Sequence, residues 1–317
     1  YTRNISRKER YYRVVWSTLP QRRVRYMLKV TVDKFQLEQL LKRTQRIQNI
    51  NGKSIAQVHS CMVKVFYNSM STTSLVKDGL SSLSYFDIPC TLIDTDQNLC
   101  LADIHSFAIS DINMFLGVLK YHGQTLTITK KISVSSSVVD KLEIKSSNKT
   151  TTIQSSKDAL AFPHSNITLE AWDEKSFALK KKIDCIIGSY QLSNGKFKMP
   201  THTWTLDSTD VFEALRCDNM NNQKLNEFTL SWNDNHLWVT TGKELKGQTE
   251  TELFNSASPT SKEPVYTCKF QGGLDNVAQL MNTEITFHML DFTEEKQGYK
   301  LIMSSEEGFV FQSGVLS

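Results

Sequence analysis

The feature that most constrains this 317-residue chain is a pattern that occurs twice in the same order. Each half contains a strand that runs into an amphipathic helix, then short strands, a second helix and a closing hairpin. The hairpin segments "KLEIKSSNKTTTIQSS" (141–156) and "YKLIMSSEEGFVFQS" (299–313) match almost position for position. Helix starts are about 78 residues apart in the first half and about 66 in the second. The repeat predicts two similar structural units.

Within each unit, the periodicity predicts an α+β architecture in which two helices pack on antiparallel sheet. We predict four segments: a basic N-terminal extension at 1–26, a first domain at 27–163, an interdomain linker at 164–200 and a second domain at 201–317. The chain ends at "FQSGVLS", where the first half continues from "IQSS" into "KDALAFP". We therefore expect the last strand to have an open edge.

Acidic and hydroxyl residues precede each of the first three helix patterns and are candidate N-caps. These are Asp33, Ser110 or Asp111, and Asp207 or Ser208. The first helix has an apolar face formed by Leu37, Leu40, Leu41, Thr44 and Ile47. Lys42 and Arg46 lie opposite that face, with Arg43 beside them, so the helix is expected to have a basic, solvent-facing side.

Charge is distributed unevenly along the chain. Residues 1–26 contain eight basic residues and one acidic residue, a net charge of +7, which leaves −3 for the remainder of a chain whose total is +4. A basic arm of this kind can bind nucleic acid or an anionic surface. It can equally be an extension without a function of its own.

Composition and motifs argue against several classes of protein. An apolar content of 39% and a charged content of 22% are those of a soluble globular protein. With no apolar run of membrane-spanning length and no signal-peptide core, we expect no membrane association and a cytoplasmic location, that of the host cell if the protein is viral. The six cysteines are scattered and are expected to be reduced thiols: Cys61, Cys90, Cys100, Cys185, Cys217 and Cys268.

We found no catalytic, metal-binding or cofactor-binding motif in the sequence. The seven histidines are not spaced as metal ligands, and "GLDNVAQL" lacks the GK[ST] ending of a phosphate loop. An enzyme is therefore the least favoured class, and no catalytic residue, metal or cofactor is predicted.

Several segments resemble a known family. "ISDINMFLGVLK" (109–120), followed by a Thr-rich strand, a hairpin and "DALAFP" (158–163), is similar to the first domain of T-even phage DNA polymerase sliding clamps. "MLKVTVDKFQLEQLLKRTQRI" (27–47) is similar to the start of those clamps, and 273–313 is similar to their last helix and closing strands. The resemblance covers most of 27–163 and 200–317.

This resemblance implies two similar clamp-type domains per subunit and a closed ring formed by oligomerisation, expected to be a homotrimer. Helices would line the hole, and sheets would face outward. The implied function is a processivity factor that encircles double-stranded DNA and tethers the replicative DNA polymerase after loading by a clamp loader ATPase. The candidate DNA-binding residues are Lys42, Arg43, Arg46, Lys120 and Arg216.

Clamps of this family also bind short apolar peptides beside the interdomain linker. By that resemblance, four residues are candidates for the edge of a partner-peptide pocket: Phe162, Pro163, Met199 and Pro200. The linker is longer than the phage pattern, and the basic arm has no counterpart there.

Two alternatives stay open at the level of sequence. One is a clamp-like viral processivity factor that works as a monomer or dimer, although such a factor is expected to have a more basic inner face. The other is a structural or virion β-rich protein that does not bind DNA.

Overall fold

The computed structural model describes residues 27–50, 53–65, 68–76, 82–94, 106–131, 139–156, 172–173, 178–179, 190–191, 197–216, 227–233, 236–243, 247–253, 266–281 and 284–314. The basic arm at 1–26 lies outside the described residues. None of the helices in the described part is long and apolar enough to cross a membrane.

The described residues of the first half form two helices and eleven strands. In chain order these are β1 Met27–Asp33, α1 Lys34–Gln45, β2 Ile47–Ile50, β3 Lys53–Ala56, β4 Cys61–Val65, β5 Ser69–Val76, β6 Ser82–Pro89, β7 Thr91–Asp94, β8 Ser106–Ile109, α2 Ile112–Leu119, β9 Thr125–Lys131, β10 Val139–Ser146 and β11 Lys149–Ser156.

Four two-residue strands follow, and then the second half begins. The short strands form two antiparallel pairs, β12 Trp172–Asp173 with β13 Ala178–Leu179 and β14 Tyr190–Gln191 with β15 Phe197–Lys198. The second half consists of β16 His202–Asp207, α3 Ser208–Leu215, β17 Glu227–Asn233, β18 His236–Lys243, β19 Gly247–Leu253, β20 Tyr266–Gln271, α4 Asp275–Gln279, β21 Glu284–Phe292, β22 Gly298–Ser305 and β23 Gly308–Ser313.

The predicted helix starts are confirmed by the capping geometry. Asp33 accepts a hydrogen bond from the Gln36 amide, and Asp111 accepts one from the Met114 amide. Asp207 caps α3 in the same way through the Thr209 amide. These carboxylates satisfy amide groups that a helix cannot pair internally, which is why the helices begin at these positions.

Three larger sheets contain most of the described strands. Their strand orders are β11-β10-β9-β1-β7, β16-β21-β22-β23-β6-β5-β4-β8 and β19-β18-β17-β20. All strand pairings within these three sheets are antiparallel, as predicted. Buried apolar side chains of the helices and the strands form the core, among them Leu37, Phe115, Trp232 and Phe287.

The two halves repeat one topology. The order β1-β9-β10-β11 in the first half corresponds to β16-β21-β22-β23 in the second, and β6-β5-β4-β8 corresponds to β19-β18-β17-β20. Thr125 pairs with the cap Asp33, as Glu284 pairs with the cap Asp207. The predicted internal duplication is therefore present in the fold.

The eight-stranded sheet crosses from one half to the other. Its four strands β16-β21-β22-β23 continue into β6-β5-β4-β8 because β23 pairs with β6, for example Val310 opposite Ser84. The expectation of an open edge on the last strand is therefore wrong. A partner strand from the distant first half covers that edge, which local patterning does not reveal.

Candidate functional site

The helices lie side by side in the order α2, α1, α4, α3. Helix α1 contacts both α2 and α4, and α3 contacts α4. The Gln45 side chain on α1 donates to Asn113 Oδ1 on α2 at 2.7 Å, and Asn276 on α4 donates to the Ile47 carbonyl at 2.7 Å. The α1 helix packs on β5 and β6, and α3 packs on β18 and β19. A row of helices therefore runs across both halves.

Three exposed cations occupy one equivalent position on these helices. Lys42, Lys120 and Arg216 each lie nine residues after an N-cap, since the caps are residues 33, 111 and 207. All three side chains are exposed. The spacing could have been found in the sequence by aligning the three capping aspartates.

The helix dipole gives a reason why basic residues occur at these three positions. Each cation lies at or near the C-terminal end of its helix, where the helix dipole favours positive charge. Arg216 is partly neutralised by Glu213, with Nη1 3.9 Å from Glu213 Oε2. The helix dipole therefore favours cations at these three positions independently of DNA.

The expectation that Arg43 and Arg46 face solvent is wrong. Arg43 is only 7% exposed, and its Nε donates to the Leu280 carbonyl on the α4 side at 2.7 Å. Arg46 is 1% exposed and ends α1 in the left-handed region, with φ of 51°. The helix terminates one residue earlier, at Gln45, so helical spacing no longer applies to residue 46.

Burial also changes the acid–base properties of these two residues. Burial lowers the pKa of Arg46 to about 10. Burial lowers the pKa of Arg43 as well, while Glu307 and Asp87 act in the opposite direction. Both guanidinium groups stay charged at neutral pH and act as structural groups inside the chain.

Helix α4 carries no cation among its five residues. Asn276 is engaged with Ile47, whereas Gln279 is exposed. Asp275 is buried, burial raises the pKa of its carboxyl group, and its Oδ1 has no hydrogen-bond partner.

In the second half of the chain, a cluster of aromatic side chains lies where the strands β16, β20 and β22 begin. The rings of Trp232 and Tyr266 stack with centroids 5.7 Å apart, and Tyr299 meets Trp232 edge-on at 5.0 Å. His202 stacks on Trp204 at 5.6 Å. The indole Nε1 of Trp232 is buried and has no hydrogen-bond partner. Sequence analysis did not identify this cluster, because its members come from separate strands.

Two of the four predicted pocket residues are described. Met199 is 60% exposed, and the partly buried Pro200 leads into β16, the strand that carries His202 and Trp204. Phe162 and Pro163 lie outside the described residues. Met199 and Pro200 therefore come directly before β16, whose first residue, His202, belongs to the aromatic cluster.

The described residues contain no group of three or more His, Cys, Asp or Glu side chains that could hold a metal ion. The described cysteines, Cys61, Cys90 and Cys268, are not in disulfides, and the first and last are buried. Burial raises the pKa of Cys61 and Cys90 to about 12, so these thiols are poor nucleophiles near neutral pH.

The repeated strand order and the row of helices define the fold of DNA sliding clamps. Solved structures with this fold include a DNA polymerase III β subunit from Thermotoga maritima, with a TM-score of 0.55 and 12% identity. A putative β subunit from Eubacterium rectale gives a TM-score of 0.55 with 11% identity, and the Helicobacter pylori β clamp bound to a DNA ligase peptide gives 0.54 with 13%.

These matches cover 92% of this chain for the first two structures and 91% for the third. The chain spans 65% of the length of the first two structures and 67% of the third. No protein-family model and no curated protein matches the chain. The clamp fold predicted from sequence is therefore confirmed. The solved neighbours are bacterial, so a specific relation to T-even phage clamps stays a prediction.

Proposed function

We propose that this chain is the subunit of a sliding clamp, a non-enzymatic DNA polymerase processivity factor whose ring encircles duplex DNA. The observation that carries the proposal is the sheet that crosses the two halves. Two equivalent domains already join edge to edge within one chain, with their helices in one row. Repetition of that arrangement between copies closes a ring with helices inside, and the resemblance to T-even phage clamps favours a homotrimer.

A clamp of this kind needs no catalytic group, because topology holds it on DNA. Its inner surface needs only weak contacts to phosphates that do not depend on sequence. Lys42, Lys120 and Arg216 are the proposed contacts, since they are exposed and equivalent on three helices. A ring that must slide needs only a few positive charges on its inner surface, because topology holds it on DNA. A factor that binds DNA as an open monomer would need more of them.

The proposed protein partners are the replicative polymerase and a clamp loader ATPase. A solved neighbour, the Helicobacter pylori β clamp, binds a DNA ligase peptide. In this chain we propose that Met199 and the adjoining aromatic cluster receive an apolar peptide segment. The half-buried rings of Tyr266 and Tyr299 offer amphipathic contact area, and Met199 is largely exposed.

The test compares binding to a short linear duplex, onto which a ring can thread from either end. The variant Lys42→Glu with Lys120→Glu and Arg216→Glu is expected to bind at least about tenfold more weakly at about 50 mM salt, with a smaller salt dependence. Its oligomeric mass should not change. The control is Lys53→Glu with Lys296→Glu, which reverses two exposed charges that do not lie on the helices and should bind as the wild type does.

Equal binding by the triple variant and the wild type would rule out this helix row as the DNA-facing surface. No DNA association by the wild type at low salt would favour the alternative of a structural protein.

A further inference from the structure

We propose that the place in the first half where α1 begins and α2 ends is a binding site for the unpaired bases of single-stranded DNA. Two exposed aromatic rings, Phe35 and Tyr121, stack on the bases, and the exposed Lys120 and Lys149 bind the phosphates. The inference rests on the proposed clamp function, because both helices belong to the row that is proposed to face DNA. These four residues are called the aromatic site below.

Phe35 and Tyr121 have the most exposed aromatic side chains among the described residues. Phe35, in the first turn of α1, is 59% exposed, and Tyr121, two residues after the end of α2, is 72% exposed. Packing in the core therefore does not explain an aromatic residue at either position.

Hydrogen bonds hold the start of α1 against the turn that follows α2. The Lys34 amide donates to the Gln124 carbonyl at 2.7 Å, and Lys34 Nζ donates to the His122 carbonyl at 3.1 Å. Phe35 directly follows Lys34 in the chain, and Tyr121 directly precedes His122. The two rings therefore extend from neighbouring parts of the surface and form an exposed apolar patch of the kind that marks binding sites.

The turn that carries Tyr121 is fixed by hydrogen bonds. His122 is 5% exposed, and its Nδ1 and Nε2 atoms each lie 2.9 Å from a hydroxyl oxygen, that of Ser146 and that of Thr151. The Tyr121 amide donates to the Val118 carbonyl at 3.1 Å. A ring on a fixed turn loses less conformational entropy when it binds a ligand than a ring on a flexible segment does.

Positive charge lies close to the two rings. Lys120 is adjacent to Tyr121 in the chain, Lys149 starts β11, and both lysine side chains are exposed. Burial lowers the pKa of His122, and the charges of Lys149 and Lys34 lower it further. Lys149 and Lys34 are therefore near enough to the turn to act on its imidazole.

The two acidic residues at the start of α1 are already engaged within the chain. Asp33 caps the helix and accepts a second hydrogen bond from Gln124 Nε2 at 2.6 Å. Glu38 Oε1 lies 4.0 Å from Lys34 Nζ, one turn along the helix. The positive charge that the site offers to phosphates is therefore that of its two exposed lysines.

Phe35 faces the same side of α1 as Lys42, one of the three cations that are proposed to contact DNA. The two residues are seven positions apart, which places them within about 20° of each other around the helix and about 10 Å apart along it. Both side chains are exposed. A strand that stacks on Phe35 therefore lies on the surface that is proposed to face DNA.

The second half has no aromatic residue at either equivalent position. Counted from the capping aspartates, Thr209 is the equivalent of Phe35. Counted back from the strands β9 and β21, Leu280 is the equivalent of Tyr121. The duplicated fold therefore forms without these two rings, and the fold alone does not explain their presence in the first half.

Unpaired bases are the ligand that fits this chemistry. A single strand exposes the faces of its bases, whereas a duplex keeps them stacked on one another. Aromatic side chains beside basic groups bind single strands by stacking, with little dependence on base sequence. A clamp with this site holds DNA in which a single strand adjoins a duplex more tightly than it holds plain duplex.

The test compares a short blunt duplex with the same duplex carrying a single-stranded oligothymidylate tail, with binding measured by fluorescence anisotropy. Wild type should bind the tailed duplex at least about tenfold more tightly. Phe35→Ser with Tyr121→Ser should abolish this preference and leave binding to the blunt duplex unchanged. The control is Trp238→Ser, which removes a 38% exposed ring on β18, away from the helices, and should keep the preference.

Two further variants separate stacking from charge. Phe35→Tyr with Tyr121→Phe keeps both rings and should keep the preference for the tail. Lys120→Gln with Lys149→Gln should weaken binding to the tailed duplex and reduce its salt dependence, because fewer counterions are released. The serine variant should weaken binding to the tail without a change in salt dependence, since stacking releases no counterions.

The possible failures can be distinguished. Equal binding of the tailed and the blunt duplex by wild type overturns the aromatic site and leaves the clamp proposal standing. A preference for the tail that survives Phe35→Ser with Tyr121→Ser, or that is lost in Phe35→Tyr with Tyr121→Phe, overturns stacking at this site in the same way. If wild type binds neither DNA at low salt, the proposed function fails together with this site.

Discussion

Arg43 on α1 lies 3.5 Å from Glu307, in the turn between β22 and β23, so one ion pair connects the two halves of the chain. Arg43 also donates to the Leu280 carbonyl, while the Glu307 backbone carbonyl accepts from the Asp87 amide at 2.8 Å. The pair therefore lies in a network that joins α1, β6 and the closing hairpin. Because Arg43 takes part in this network, it is not available to bind DNA, although its helix belongs to the row that is proposed to face DNA.

Removal of Arg43 should destabilise the chain strongly. Arg43→Ala leaves Glu307 with a side chain only 13% exposed and without its ionic partner, and it removes the hydrogen bond to Leu280. We expect a loss of roughly 3 kcal/mol in the free energy of unfolding, measured by urea denaturation. The control is Lys42→Ala on the exposed side of the same helix, which should change stability by less than about 0.5 kcal/mol. Equal losses would contradict the assigned role of Arg43.

The capping aspartates should each contribute measurably. Asp111→Ala removes the acceptor for the Met114 amide and should lower stability by about 1 kcal/mol. Asp33→Ala should have a larger effect, since Asp33 Oδ2 also accepts from Gln124 at 2.6 Å. Asn at either position keeps a side-chain acceptor and should restore most of the loss. If Asn is as destabilising as Ala, the side-chain cap is not the cause.

Stability should fall in mild acid because of His288. This histidine is half-buried in β21, where its Nε2 lies 3.0 Å from Ser304 Oγ, and desolvation lowers its pKa to about 4. The unfolded chain then binds more protons than the folded chain below pH of about 6.5, the unperturbed value for histidine. The stabilisation is complete above that pH and is lost as the pH falls towards 4, by roughly 3 kcal/mol in total.

The measurement is urea denaturation at steps between pH 7 and 4. His288→Gln should flatten the pH dependence in this window, whereas His59→Gln, at an exposed position, should leave it unchanged. An unchanged slope in His288→Gln would show that other groups cause the acid sensitivity.

Gly314, just after β23, should not tolerate a side chain. A Cβ atom there would lie 2.5 Å from Cys268 Sγ and 2.8 Å from the Tyr299 carbonyl oxygen. Gly314→Ala should therefore cost roughly 1–3 kcal/mol of stability, measured by denaturation. Adding Cys268→Ala removes only the first contact and should recover part of the loss. Full stability in Gly314→Ala alone would mean that the end of β23 can move away.

Sequence patterns predicted those parts of the fold that depend on local physics. The caps Asp33, Asp111 and Asp207 and the hairpins at 141–156 and 299–313 follow from neighbouring residues. The pairing of β6 with β23 does not, because more than 200 residues separate Ser84 from Val310. The sequence shows the duplication, but nothing in it indicates which strand edges pair between the two halves.

The candidate site likewise contains residues that local sequence patterns place correctly and residues that they do not. Periodicity identified Lys42 as exposed, and the structure confirms that exposure. Arg46 was misplaced because the helix ends at Gln45, and Arg43 because its partner Glu307 lies on another part of the chain. The aromatic cluster around Trp232 could not be predicted, since its rings meet only after β16, β17, β20 and β22 come together.

The most direct test of the central claim is topological. Rings are assembled in the presence of a nicked circular plasmid, separated from free protein at high salt, and then treated with a restriction enzyme that linearises the DNA. We predict that the protein stays with the circular plasmid and is released when the ends appear, since a closed ring slides off a free end. Loss from the circular plasmid at high salt, or equal retention on circular and linear DNA, would contradict encirclement.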